Sequence, residues 1–103
     1  MMTISFSTYT PLRLETSSRY FAEKELARMQ FNITLKPAEG SRQYGSFECY
    51  DIDDPYTYYS EGGLWFKDNE LIDYDGIYSL PHQILDYLEL NGYDVKHMKE
   101  VLK

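Results

Sequence analysis

The stretch LWFKDNELID, residues 64–73, decides how the rest of the chain is read. Leu64–Lys67 and Glu70–Asp73 flank the dipeptide Asp68-Asn69, so a two-residue turn sets Lys67 across from Glu70, Phe66 across from Leu71 and Trp65 across from Ile72. The outer pair is of opposite charge and the inner two are apolar, the cross-strand partners an antiparallel hairpin needs. Asp-Asn serves such a turn, less strongly than Asn-Gly.

Alternating segments recur upstream of this hairpin. Ile4, Phe6 and Thr8 share one face of a strand over residues 3–9, interrupted by Pro11. Met29, Phe31, Ile33 and Leu35 alternate to about Lys36, and Phe47 and Cys49 oppose Glu48 and Tyr50 in a strand near 46–52. Residues 37–45 and 53–63 read as turn and loop, with Gly62-Gly63 a turn before the hairpin. Between the first two strands, Ser17 and Ser18 precede a run of good helix formers, predicting a helix over 19–28 with Ala22, Leu26 and Met29 on one face. Toward the C-terminus, Ser79 and Pro81 open a helix that buries Ile84, Leu85 and Leu88 and stops at Asn91-Gly92. Val95, Met98, Val101 and Leu102 mark a short last helix. The expected order is β-α-β-β-β-β-α-α. The expected fold is α+β: a small single domain over residues 1–103, an antiparallel sheet of four to five strands, one helix in the N-terminal half and C-terminal helices packed on the sheet.

Charge is partitioned along the 103 residues. The net charge is −7, with pI about 4.7. Residues 43–95 hold twelve acids against one base, Lys67, a local net of −11, together with nine of the eleven tyrosines. Both flanks are weakly basic. One reading is an ordinary solubilising surface; the other is a polarised binding face. The balance opposes phosphate recognition, so direct nucleic-acid binding is not expected. No apolar run exceeds three residues, so no membrane span is expected, and MMTISFSTYT lacks the features of a signal peptide. A single Cys allows no internal disulfide, which favours a cytoplasmic setting.

Chemical signatures are weak. Asp51, Asp53 and Asp54 begin like a calcium loop, but Pro55, Tyr56 and Gly62 stand where an EF-hand needs an acid, a glycine and a glutamate. One Cys with His82 and His97 does not fill a zinc site. Cys49 sits at a core-facing strand position, where Cys behaves as a small hydrophobe. No catalytic residue, metal site or cofactor is therefore expected. Carboxylates interleaved with tyrosines remain. Acids two apart on a strand, such as Asp73 and Asp75, are separated by about 6.8 Å, a spacing that can present charges like a phosphate backbone. Tyrosine suits such a face, being large and amphipathic.

A small acidic, aromatic chain with one Cys and no catalytic signature resembles phage and mobile-element anti-defence proteins of the anti-CRISPR and anti-restriction DNA-mimic kind. The segment LPHQILDYLELNGYDV, residues 80–95, is similar to the terminal helix of short phage proteins. The neutral-to-basic ends depart from that kind and confine a mimic surface to residues 43–95. The resemblance implies a non-enzymatic inhibitor of a host defence complex, with a CRISPR effector favoured. It would occupy a basic nucleic-acid-binding groove in the host cytoplasm through Asp51, Asp53, Asp54, Glu61, Asp73 and Asp75, with Tyr56, Tyr58 and Tyr59 as anchors. The alternatives are an antitoxin or immunity protein against a basic nuclease, a metal-dependent enzyme using the Asp cluster, and a structural or regulatory subunit. The sequence leaves the oligomeric state open.

Overall fold

A computed structural model describes residues 1–11, 26–54, 59–76 and 80–101. Five strands, β1 (Met2–Pro11), β2 (Leu26–Leu35), β3 (Arg42–Asp51), β4 (Tyr59–Lys67) and β5 (Glu70–Tyr74), form one antiparallel sheet in chain order. Two helices follow, α1 (His82–Leu90) and α2 (Lys96–Val101). Among the described residues the order is β-β-β-β-β-α-α, an α+β arrangement with both helices at the C-terminal end.

The sheet is held in phase by rows of directly opposed residues. Ile4 faces Ile33, Ile33 faces Phe47 and Phe47 faces Gly62; the next row runs Phe6, Phe31, Cys49, Ser60. Because side chains alternate with period two, these rows put Met29, Phe31, Ile33 and Leu35 of β2, Phe47 and Cys49 of β3, and Leu64 and Phe66 of β4 on one face. There Phe31, Ile33, Leu35, Phe47, Leu64, Phe66 and Leu71 are buried with Ile84, Leu85 and Leu88 of α1 and with Val95 and Met98. Each such side chain withdrawn from water contributes roughly 1.5–3 kcal/mol. Aromatic contacts join the layers: Tyr87 stacks on Phe6 at 3.5 Å between centroids, and Tyr93 tilts against Phe66 at 4.8 Å.

The hairpin at Asp68-Asn69 forms as its residues predict. Both turn residues have positive φ, 50° and 67°, the type I′ conformation that matches strand twist. Lys67 pairs with Glu70 and Phe66 with Leu71, but a bulge follows: Trp65 pairs with Asp73 rather than Ile72. The extra residue turns Ile72 outward, where it is 44% exposed. The turn also anchors what comes later. Asn69 Nδ2 donates to the Gly92 carbonyl, Asp94 N donates to the Asn69 carbonyl at 2.9 Å, and Leu71 N donates to the Asp94 carbonyl at 2.9 Å. The loop between the helices is thereby tied to the hairpin.

Other expectations need correction. The predicted helix over 19–28 falls largely outside the described residues, and its last part, Leu26–Arg28, is strand. These residues pair with Pro11, Thr10 and Tyr9, and that ladder outweighs helix preferences of a few tenths of a kcal/mol per residue. β3 begins at Arg42, inside the expected turn; the reversal is confined to Glu39–Arg42 with Gly40 at φ 64°. β4 begins at Tyr59, so Gly62 and Gly63 are strand residues. α1 starts after Pro81 without a side-chain cap bond, and Ser79 is outside the described residues. Val101 is 60% exposed rather than core, because α2 turns it away from the sheet; Leu102 also lies outside the described residues. Asn91 and Gly92, at φ 90°, end α1 as expected.

Asn69 combines a left-handed backbone with a side-chain tie. Asn69→Ala should lower unfolding free energy by about 2 kcal/mol, from a left-handed penalty of ~1 kcal/mol and a lost hydrogen bond of ~1 kcal/mol. Asn69→Gly should keep the turn and lose only the tie. Chemical denaturation that ranks Gly below Ala would refute this account of the turn.

Candidate functional site

The apolar rows have a polar counterpart on the opposite face, where no described helix lies. Ser5 faces Asn32, Asn32 faces Glu48 and Glu48 faces Glu61. One step along the strands, Thr3, Thr34, Ser46 and Gly63 form a row of small side chains. Beyond it come Tyr44, Trp65 and Asp73, and on the other flank Tyr50 and Tyr59.

The row of small residues leaves a groove of about 600 Å³, bordered by Asn32, Thr34, Ser46, Glu48, Glu61 and Asp75. Two glycines make room for its far wall. A Cβ on Gly62 would land on the carbonyl oxygen of Asp75, and one on Gly63 would meet the Trp65 ring at 2.9 Å. Asp75 lies one residue past β5 but keeps its register: its N–H donates to the Gly63 carbonyl at 3.0 Å, and its Oδ1 accepts the Gly63 N–H at 2.7 Å. Asp73 and Asp75 thus share the open face, as the two-residue spacing predicts.

Hydrogen bonds run across this face from β1 to β4. Gln30 Nε2 donates to Ser5 Oγ at 2.8 Å, Ser5 Oγ donates to Asn32 Oδ1 at 2.6 Å, and Asn32 Nδ2 donates to Glu48 Oε1 at 2.9 Å. Tyr59 OH donates to Glu61 Oε2 at 2.6 Å and reaches Glu48 Oε2 at 3.5 Å. Its hydrogen bond to Glu61, reinforced by nearby negative charge, pushes the phenol up to about 12. Among the described residues Glu48 and Glu61 have no ion pair. The described ion pairs are those of Lys99, at 3.0 Å from Asp86 and 3.4 Å from Glu89, and the Asp86 contact raises the lysine's affinity for its proton. Like charges directly opposed on a sheet are destabilising, so the Glu48–Glu61 pair is held at the expense of stability.

The sequence-derived site is divided by the fold. Glu61, Asp73, Asp75 and Tyr59 lie together on the open face or its border. Asp53 and Asp54 follow the end of β3. Asp51 is fully buried, in phase with Phe47 and Cys49, and its Oδ1 accepts the Asp53 N–H at 3.0 Å. Its carboxylate organises the turn and offers a partner no surface. Tyr56 and Tyr58 lie outside the described residues. Glu48, Tyr44 and Trp65 join the site although sequence reasoning did not single them out; the alternation that places Phe47 inward already places Glu48 outward.

The described residues hold no group of three or more metal-ligating side chains arranged around one point. His82 and His97 are exposed. Burial pushes the Cys49 thiol up to about 11, so it is not poised as a nucleophile. No helix of the described residues is long and apolar enough to cross a membrane. Against protein-family models, curated proteins and solved structures, the chain finds no match.

Two measurements follow from the Glu48–Tyr59–Glu61 cluster. Glu48→Gln should raise stability by a few tenths of a kcal/mol, because the amide oxygen can keep the Asn32 bond while the repulsion disappears. The absorbance difference between the native chain and Tyr59→Phe should report a phenol ionising near pH 12. The folded-state value is raised, so the bond's stabilisation is complete below about pH 10 and is lost as pH rises through the folded value. In a Glu61→Gln background the titration should move back toward 10; an unmoved curve would exclude Glu61 as the cause.

Proposed function

We propose that this chain is a non-enzymatic binding protein. Its open, acidic and aromatic sheet face docks on the basic nucleic-acid-binding groove of a host defence complex, with a CRISPR effector the favoured target, and excludes DNA. The observation that carries this reading is the Glu48–Glu61 pair: two opposed carboxylates with no described cation beside them, bordering a groove that Asp75 closes on the far side. Such a pair gains free energy when an arginine or lysine arrives. Surfaces of one sign also steer a partner of the other sign and make association depend on salt. The flanking Tyr44, Tyr59 and Trp65 supply apolar area and ring faces on which guanidinium groups stack. The groove opens onto this face beside Asp75, and Asp73 stands two residues before it in the chain.

This reading moves the expected contact surface. Glu48, Glu61, Asp73 and Asp75, with Tyr59, Tyr44 and Trp65, form its centre; Asp53 and Asp54 lie outside it, and Asp51 serves the fold.

The test is competition. With a purified CRISPR effector, the chain should reduce DNA binding in a gel-shift assay, more weakly as salt rises. The double variant Glu61→Lys/Asp73→Lys should lose roughly tenfold or more in affinity for the effector. Lys substitutions at Asp86 and Glu89, on α1, should change it little. Inhibition that is indifferent to salt and to reversal at Glu61 and Asp73 would defeat the proposal. Neutralisation of a basic nuclease in place of an effector would favour the antitoxin alternative.

A further inference from the structure

The two edges of the sheet are treated differently. β5 is five residues long, carries a bulge and acidic side chains, and its start is bonded to Asp94. Short length, bulges, charge and covering segments are the usual means of blunting an edge. Among the described residues β1 has none of them along its length. Its ten residues pair with β2 without a break, and among the described residues its other edge has no strand beside it. No charged side chain occurs from Met1 to Leu12, and the one proline, Pro11, stands at the far end. Ile4 and Phe6 are only half-buried at this margin of the core.

We propose that the free edge of β1 pairs antiparallel with β1 of a second copy of this chain, making a continuous sheet across a two-fold axis. This rests on the outer edge of β1, one strand beyond the Asn32 and Thr34 border of the groove, and is argued independently of the function proposed for that groove. A second copy is favoured by the distribution of charge. At a net of −7 per chain, two copies repel unless their acidic parts stay apart. Within β1 and β2 the one charged side chain is Arg28, while the acids of the sheet begin at β3. Pairing through β1 leaves the two copies of β3 five strand spacings apart, about 24 Å. That is some three times the ~8 Å screening length at physiological salt. Pairing through β5 would instead bring Glu70 and Asp73 of one copy up against Glu70 and Asp73 of the other.

Phase restricts the register. The apolar faces of both copies stay on one side only if even-numbered residues face even-numbered residues. A dyad centred on Ser5 sets Ile4 across from Phe6 of the second copy and Thr3 across from Ser7, so the half-buried flanks of Ile4 and Phe6 cover one another. A two-fold contact of this kind is closed and does not propagate into fibres. The contact is small beside a standard interface of roughly 1,600 Å², so the dimer should dissociate on dilution.

Sedimentation velocity of the full chain across the micromolar range should show a concentration-dependent monomer–dimer equilibrium. The double variant Thr3→Lys/Ser7→Lys should shift it at least tenfold toward monomer, as should Thr3→Glu/Ser7→Glu. Co-expressing the Lys and Glu variants should restore a mixed dimer with one chain of each, read by native mass spectrometry, which a merely misfolded variant could not give. A wild-type chain that stays monomeric, a dimer unaffected by the substitutions, or failure of the co-expressed pair to associate would each overturn the proposal.

Discussion

Everything in this molecule depends on five strands keeping the same phase. The row Ile4, Ile33, Phe47, Gly62 is a constraint on the whole sheet. Because a one-residue slip exchanges the two faces, a shift between β2 and β3 would carry Glu48, and Glu61 paired with it, into the core and Phe47 into water. Burying either carboxylate unpaired costs far more than the surface repulsion the native register tolerates. The apolar face and the acidic face are thus a single choice made once. The bulge after Phe66 is the described break in that regularity. It falls on β5, where it leaves Leu71 buried and brings Asp73 to the open side.

The two faces then divide the labour. One is sealed by α1, α2 and the loop between them: Tyr87 of α1 reaches Phe6 at one margin of the sheet, and Tyr93 of the loop reaches Phe66 near the other. The other is polar, hydrogen-bonded from Ser5 to Glu61, and indented where Thr34, Ser46 and Gly63 are small. The acids of residues 43–95 follow this division. Some crown the open face, Asp86 and Glu89 are drawn to Lys99 on the helices, and Asp51 is enclosed. A local net of −11 therefore overstates what one partner would meet at once.

Much of the fold was legible in the sequence because it is written with period two. Phe31, Ile33 and Leu35, or Phe47 and Cys49, announce strands whatever their neighbours do, and Asp68-Asn69 between matched pairs announces a hairpin. Lengths were less legible. Leu26, Ala27 and Arg28 suit a helix taken alone, and only pairing with β1, distant along the chain, makes them strand. Gly62 and Gly63 look like a turn in sequence; their role is to admit the backbone and side chain of Asp75, a contact between separate strands. The same limit explains the site. Counting acids singled out Asp51 with Asp53 and Asp54, while strand phase, had it been applied to the acids, separates Asp51 from Glu48 and Glu61.

The order of strands in the sheet is also their order in the chain, and the helices that cover the apolar face come last. During synthesis the growing chain can zip each strand onto the one before it, an economical route for a β-structure. Until residues 80–101 have emerged, however, Phe31, Ile33, Phe47 and Leu64 have nothing to rest against. A nascent or truncated chain ending before α1 is a sheet with one bare greasy side, the species on which chaperones or proteases would act. Residues 80–101 are thus the step that converts a sticky intermediate into a covered sheet.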